Sequence, residues 1–383
     1  MNYKKKMKIE QFMFGLLYFI GFACIGGCVG YFMGSIQKNM GGNISGLKLC
    51  IIALLALTTI FLSYTINICL HEIGHMIFGL MSGYEFNSIR FGKIMLAKEN
   101  GKLRFCKYDM PGTGGQCIMS APKVDAENMP AVLYNLGGLF MNLFVLVIGI
   151  IVFAVLKDSH FVVAAVSLMF AMTSLLILIM NGLPFTQIGT DGANTIILYK
   201  DKFARDAFRN QLDVVKYISE NYSVREMPEE LFLFDKQIPM TNPLITSQAF
   251  SCFNYYFVSG KYQEAKEMAS YILGNAKSIN QLHEKLLYGE LLFITIVIDR
   301  DYEVAKEQFG LHKKELEKAA RFISMQRVLY AYYTLVEPTE KKASQYKKLF
   351  ENSVRNYPYH KDAAIEKEQF DMVAEVLKEK ECS

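Results

Sequence analysis

The sequence predicts a mainly α-helical membrane protein: a bundle of about four transmembrane helices with a small β-hairpin insertion, followed by a soluble α-helical domain. The chain of 383 residues is 52% hydrophobic, with a mean hydropathy of +0.17, which is high for a soluble protein of this length. Its first half contains four uncharged apolar runs, and its second half is rich in Lys and Glu. This asymmetry predicts a membrane domain at residues 1–199 and a cytosolic domain at 200–383.

Each apolar run is long enough to span a membrane, because about 20 helical residues cross the hydrocarbon core. The predicted spans are residues 11–36, 50–80, 131–156 and 161–183. The first is too long for the apolar core of a signal peptide, which has about 7–15 residues. Lys and Arg concentrate before the first span and after the second and fourth. This distribution predicts a multi-pass protein of the cell membrane with both termini in the cytoplasm.

A His-Glu-x-x-His motif ends the second predicted span. His71 and His75 are four residues apart, so on a helix both imidazoles share a face and can bind one metal ion. Glu72 is placed to take a proton from a metal-bound water. The motif should occur by chance roughly 0.01 times in a chain of this composition. Ser63 and Asn67 extend the same face into the span, and polar groups at that depth favour a functional site over a surface helix.

Zinc needs a third protein ligand, and Asp191 is the candidate. From the third span to the soluble half the only other acid is Asp158, in a short loop predicted to lie on the opposite side of the membrane. Asp191 follows Pro184 and returns to the cytoplasmic side with the histidines. Broken helix at membrane depth is tolerated where the backbone is buried or lines a cavity. The alternative is an ordinary turn Asp at a membrane exit.

The loop between spans two and three contains a predicted β-hairpin at residues 94–105, with Asn100-Gly101 as its two-residue turn. A glycine-rich segment with Gly114 and Gly115 follows. It is either a flexible connector or a backbone edge where an extended substrate adds as a strand. Glycines alone leave both interpretations open.

Three elements, within about residues 50–194, resemble the site-2 protease family of intramembrane zinc metalloproteases. They are the His-Glu-x-x-His motif late in one span, Gly138-x-x-x-Asn142 in the next, and Asn181-x-x-Pro184 leading to Asp191-Gly192 after the following one. The stretch from Pro184 to Asp191 is slightly longer than the family's common pattern. In the third span, small residues on one face also favour close helix packing.

The resemblance implies that His71, His75 and Asp191 bind Zn²⁺ and that Glu72 is the general base. The expectation of a bacterial origin rests on the resemblance alone. The expected function is an intramembrane zinc endopeptidase that cuts a transmembrane or signal-peptide-like substrate. A catalytically inactive membrane adaptor that acts through its C-terminal helices is one alternative. An iron-dependent oxygenase is another, since two His and one carboxylate also describe that site.

For substrate binding, the resemblance implies that Asn142 and Asn181 hold the substrate or an oxyanion. It also implies that the hairpin and Gly114-Gly115 form the family's substrate-engaging β-structure. The net charge of +4, without a basic tract that interleaves aromatic residues, argues against a nucleic-acid partner. The remaining expected partners are membrane lipid and a protein bound by the C-terminal domain.

The second half predicts a short, irregular α-solenoid that resembles tetratricopeptide repeats. Residues 260–265 lie between two amphipathic segments, and residues 300–305 repeat their Tyr-x-x-Ala element forty positions later. Stacked helix pairs of this kind often present a concave binding face. His283, His312 and His360 lack ligand-like spacing and are predicted to be surface or packing residues. The eight cysteines lack Cys-x-x-Cys spacing and are predicted to be free thiols.

Overall fold

The computed structural model describes residues 3–39, 45–99, 101–108 and 113–382. The chain divides into two compact units, one formed by Met1–Leu96 with Asp109–Lys202 and the other by Ala97–Tyr108 with Phe203–Ser383. Asn100 of the predicted turn lies outside the described residues, as do residues 111 and 112, the first two of the glycine-rich segment.

Four long apolar helices make up most of the first unit. They are α1 Tyr3–Asn39, α2 Gly46–Met81, α3 Ala131–Leu156 and α4 Phe161–Gly182. Within the described residues, these four are long and apolar enough to cross a membrane, as the sequence predicts. Large apolar side chains such as Phe12, Leu54 and Phe144 stay exposed along them. That exposure suits helices that face lipid.

Glycines let α2 and α3 meet backbone to backbone. A Cβ atom added to Gly137 would lie 2.6 Å from the carbonyl oxygen of Gly74, and one added to Gly74 would clash with the carbonyl oxygen of Gly137. A Cβ on Gly149 would similarly lie 2.8 Å from the carbonyl oxygen of Ser167. Such close approach is how small residues join helices in lipid, and it confirms the predicted packing role of this face of α3.

The loop between α2 and α3 folds into a four-stranded antiparallel sheet, larger than the predicted hairpin. Its strands are β1 Glu85–Phe91, β2 Ile94–Glu99, β3 Lys102–Lys107 and β4 Gly115–Ser120, in the order β3-β2-β1-β4. β2 and β3 form the predicted hairpin, and Gly101 has the positive φ of +77° that its turn requires. β1 pairs with β4, which is therefore an edge strand of this sheet.

The second unit consists mainly of helices, most of which pack against a neighbour in sequence. They are α6 Lys202–Ser219, α7 Pro243–Val258, α8 Tyr262–Asn275, α9 Gln281–Phe293, α10 Tyr302–Lys318, α11 Ile323–Ala331, α12 Glu340–Asn356 and α13 His360–Cys382, after the short α5 Asp191–Lys200 of the first unit. Both Tyr-x-x-Ala elements begin a helix, α8 and α10. The likeness to tetratricopeptide repeats stays a prediction.

Residues 97–108 group with the second unit, although the sequence assigned all of 84–130 to the membrane domain. Arg104 Nη1 lies 3.2 Å from His360 Nε2, and the rings of Tyr108 and Tyr357 meet edge to face at 6.0 Å. These contacts between residues distant in sequence connect β3 and Tyr108 to the region where α13 begins.

Arg327 is a fully buried cation in the core of the second unit. Its Nη2 lies 2.8 Å from each carboxylate oxygen of Glu290, and its Nε lies 2.9 Å from Glu366 Oε2. The guanidinium also lies 4.2 Å from the ring centroid of Phe293. The network joins α9, α11 and α13.

Mild acid should destabilise the second unit through His283, which stacks on Phe250 with ring centroids 4.2 Å apart. Burial lowers the pKa of His283 from 6.5 to about 4. Stability from a lowered folded pKa is complete above the unfolded pKa of 6.5 and is lost as the pH falls toward 4. For this half-buried ring we expect a loss of about 1 kcal/mol between pH 7 and pH 5.

Melting curves of the full chain in detergent at the two pH values measure this effect. His283→Phe should reduce the drop in melting temperature, whereas substitution of the exposed His160 by Phe should not. An unchanged drop in His283→Phe would contradict the prediction.

Candidate metal centre

Three predicted ligands from two helices converge in the first unit. His71 and His75 lie on the buried face of α2 together with Ser63 and Asn67, and Asp191 is the first residue of α5. Asp191 Oδ2 lies 3.0 Å from His71 Nε2 and 3.4 Å from His75 Nε2, and the two Nε2 atoms are 3.2 Å apart. This buried group could hold a metal ion. The slightly longer stretch before Asp191 does not prevent convergence.

Hydrogen bonds behind the two imidazoles determine which nitrogen faces the centre. His71 Nδ1 lies 2.7 Å from the side-chain oxygen of Asn142, and His75 Nδ1 lies 2.9 Å from the backbone oxygen of Tyr134. Both oxygens accept hydrogen bonds, so Nδ1 is the donor on each ring and a neutral ring would offer its Nε2 lone pair to a metal ion. The lone pairs point toward Asp191, the arrangement that metal-binding histidines require.

The candidate centre is therefore a buried group of lone-pair donors. Asp191 Oδ2 is buried and has no well-aligned hydrogen-bond donor among the described residues. Ligand atoms around a tetrahedral zinc ion, with bonds of about 2.0–2.1 Å, lie about 3.3 Å apart. The separations of 3.0–3.4 Å fit such an ion.

Glu72 lies beside this group and against β4. Its side chain is buried, and its carboxylate accepts a hydrogen bond from the backbone of Cys117. A Cβ atom on Gly115 would lie 2.5 Å from Glu72 Cγ and 2.8 Å from Oε1, so glycine is required there. A Cβ on Gly114 would lie 3.0 Å from Ile68, one turn earlier on α2. The two glycines thus run along the helix that carries the motif.

The sheet edge at the candidate site is β4 and not the predicted hairpin. β2 is an internal strand between β1 and β3, and β3 lies at the opposite edge. A strand at Ile94–Phe105 therefore cannot be the edge next to Glu72. The edge next to Glu72 begins at Gly114 and Gly115.

Asn142 supports the centre from behind. It is fully buried, and its Nδ2 lies 3.4 Å from the backbone oxygen of Asn67 and 3.3 Å from Ser174 Oγ. Both ends of the amide are thus engaged, and Asn142 supports the position of the His71 ring. The substrate or oxyanion contact that the resemblance implies for Asn142 stays a prediction. Asn181 lies in the last turn of α4, where its Nδ2 donates to the backbone oxygen of Ile177 at 3.3 Å.

Tyr134 is a supporting residue that the sequence analysis missed. Its hydroxyl donates to the backbone oxygen of Cys117 at 2.9 Å, while its own backbone oxygen binds His75. One residue of α3 thus connects strand β4 to one of the candidate metal ligands. Tyr134, Gly138 and Asn142 are spaced by four along α3, and this spacing was a signal that could have identified it.

Gly138→Ala should weaken metal binding by about 10–100-fold, as loss of a supporting contact typically does. The added Cβ atom would lie 2.6 Å from both nitrogens of the His71 ring. That ring cannot move without breaking its bond to Asn142. The matched control is Gly182→Ala, whose Cβ would meet nothing closer than Leu139 at 3.8 Å. Competition for zinc with a chromophoric chelator measures the affinities, and equal values for the two variants would contradict this role of Gly138.

Comparison with protein-family models, curated proteins and solved structures gave no match. The fold and the site by themselves define the class. In the part of the chain that the structure describes, four helices are long and apolar enough to span a membrane, and a buried His-His-Asp group could bind a metal.

Proposed function

We propose that this protein is an intramembrane zinc endopeptidase. The observation that carries the proposal is the convergence of three lone-pair donors, His71, His75 and Asp191, with the carboxylate of Glu72 beside them. Two imidazoles and a carboxylate are a donor set of catalytic zinc sites, which keep one position for water or substrate. Because these groups lie within a bundle of apolar helices, we expect the substrate to lie in the same membrane. The distribution of Lys and Arg favours a cut near the cytoplasmic side.

The chain supplies acid–base chemistry through Glu72. His71, His75 and Asp191 would hold the ion, which when bound polarises the scissile carbonyl and activates water for attack. Glu72 accepts the proton of the attacking water and passes it to the leaving amine. The backbone N–H of Cys117 holds the Glu72 carboxylate in place.

The substrate must be extended to react, because hydrogen bonds of a helix shield its peptide bonds. β4 offers an edge for an extended segment to join. Backbone groups two residues apart in a strand point to the same side. Those of Gly115 therefore point the same way as those of Cys117, toward Glu72 and Tyr134. The outward N–H and C=O of Cys117 are already bonded to Glu72 and Tyr134. An added segment would therefore pair with Gly115, at the start of this edge, and would place a peptide bond beside Glu72 and the metal group.

Metal analysis of the full chain purified in detergent tests the proposal together with cleavage of a membrane-spanning peptide. We expect one zinc per chain, loss of cleavage on chelation and recovery with added zinc. Asp191→Asn should bind metal far more weakly. Iron in place of zinc would support the oxygenase, and a wild-type protein without metal or cleavage would support the adaptor.

A further inference from the structure

A buried carboxylate in α1 holds the segment that leads to Asp191. Glu10 is only 7% exposed. Its Oε2 accepts the backbone N–H of Gln187 at 2.7 Å, and its Oε1 accepts the hydroxyl of Thr186 at 3.1 Å. Lys6 Nζ, one turn earlier, lies 3.8 Å from the same carboxylate. Within the described residues, both hydrogen bonds of Glu10 are thus made with residues a few positions before Asp191.

The held segment is an irregular turn between α4 and α5. Gly189 has a φ of +81°, and Thr190 Oγ1 donates to the backbone oxygen of Leu183 at 2.6 Å, which closes the turn. The ring of Phe185 meets that of Phe14 edge to face at 5.7 Å. Two successive turns of α1 therefore contact three consecutive residues of this segment, Phe185, Thr186 and Gln187.

Attachment of α1 to the bundle does not depend on Glu10. Ile25 packs with Leu176 and Met180 of α4, and the hydroxyls of Tyr18 and Tyr64 lie 3.0 Å apart. A carboxylate buried at the end of an apolar helix is unfavourable unless hydrogen bonds satisfy it. Besides Lys6, its partners are hydrogen-bond donors of the segment that ends in Asp191.

We infer that Glu10 is a positioning residue of the metal centre, which keeps the Thr186–Gln187 turn in place so that Asp191 stays beside His71 and His75. The inference rests on the proposed metal-dependent function. It makes α1 part of the site, outside the region that resembles the site-2 proteases. It also gives the slightly long stretch before Asp191 an external support.

Metal affinity of the full chain in detergent, by zinc competition with a chromophoric chelator, tests the inference. Glu10→Leu should weaken zinc binding by about 10-fold or more and alter the visible absorption spectrum of bound Co²⁺. Glu10→Gln should recover most of the affinity, since its carbonyl can still accept the N–H of Gln187. Tyr18→Phe removes a different polar contact of α1 and should bind zinc like the wild type.

The outcomes separate this inference from the proposed function. A wild-type protein that binds no metal overturns both. A wild-type protein that binds zinc, together with a Glu10→Leu protein of equal affinity and equal Co²⁺ spectrum, overturns the inference alone. If Glu10→Leu does not fold, Thr186→Val can be used instead, because it removes the hydrogen bond from the Thr186 hydroxyl and leaves Glu10 unchanged. It should give a smaller loss of affinity, and an unchanged affinity overturns the inference.

Discussion

Glu72→Gln should lower the rate constant for peptide cleavage by about 10²–10⁴-fold, the usual contribution of general acid–base catalysis. One metal ion should stay bound. Glutamine keeps the size of the side chain and can still accept the N–H of Cys117, but it cannot take a proton from water. The three converging ligand atoms belong to His71, His75 and Asp191, so the substitution leaves the metal group intact.

Cleavage kinetics and metal content, measured on the same preparation, check this expectation. Asp191→Asn is the control, because it should reduce both the bound metal and cleavage. A Glu72→Gln protein that cleaves within about 10-fold of the wild type would remove Glu72 as the base. One that loses its metal would assign Glu72 a different role, in the centre itself.

Arg327→Met should destabilise the second unit by about 3–5 kcal/mol, because removal of one partner leaves a buried charge without compensation. Arg327 is fully buried and forms close ion pairs with Glu290 and Glu366. Lys266 provides the control, since its ion pair with Asp299 at 2.8 Å is partly exposed. We expect Lys266→Met to cost about 0–1 kcal/mol.

Denaturant unfolding of the full chain, followed by a probe in the second unit, measures both effects. Combining Arg327→Met with Glu290→Leu and Glu366→Gln should recover much of the loss, because the triple variant leaves no buried charge unpaired. Similar unfolding free energies for Arg327→Met and Lys266→Met would show that the network contributes little.

The helices were predictable because their signals are local. An uncharged run of sufficient length specifies a span, and the spacing of four residues between His71 and His75 specifies one helical face. Strands β1 and β4 were not predictable in this way. Glu85 pairs with Ser120 across a whole intervening hairpin, and short strands with a mixed burial pattern carry little local signal.

The sequence by itself determined the chemistry that the site can use: two imidazoles, a neighbouring carboxylate, and one further acid that returns to the same side of the bundle. Only the tertiary structure decided how these groups are held. His75 binds the backbone of Tyr134, 59 residues away, and Glu10 binds Gln187, 177 residues away. Such partners are selected by helix packing, since a hydrogen bond needs heavy atoms within about 3 Å and no local pattern encodes that proximity. The same holds for Gly115, whose missing side chain matters because Glu72 occupies the space.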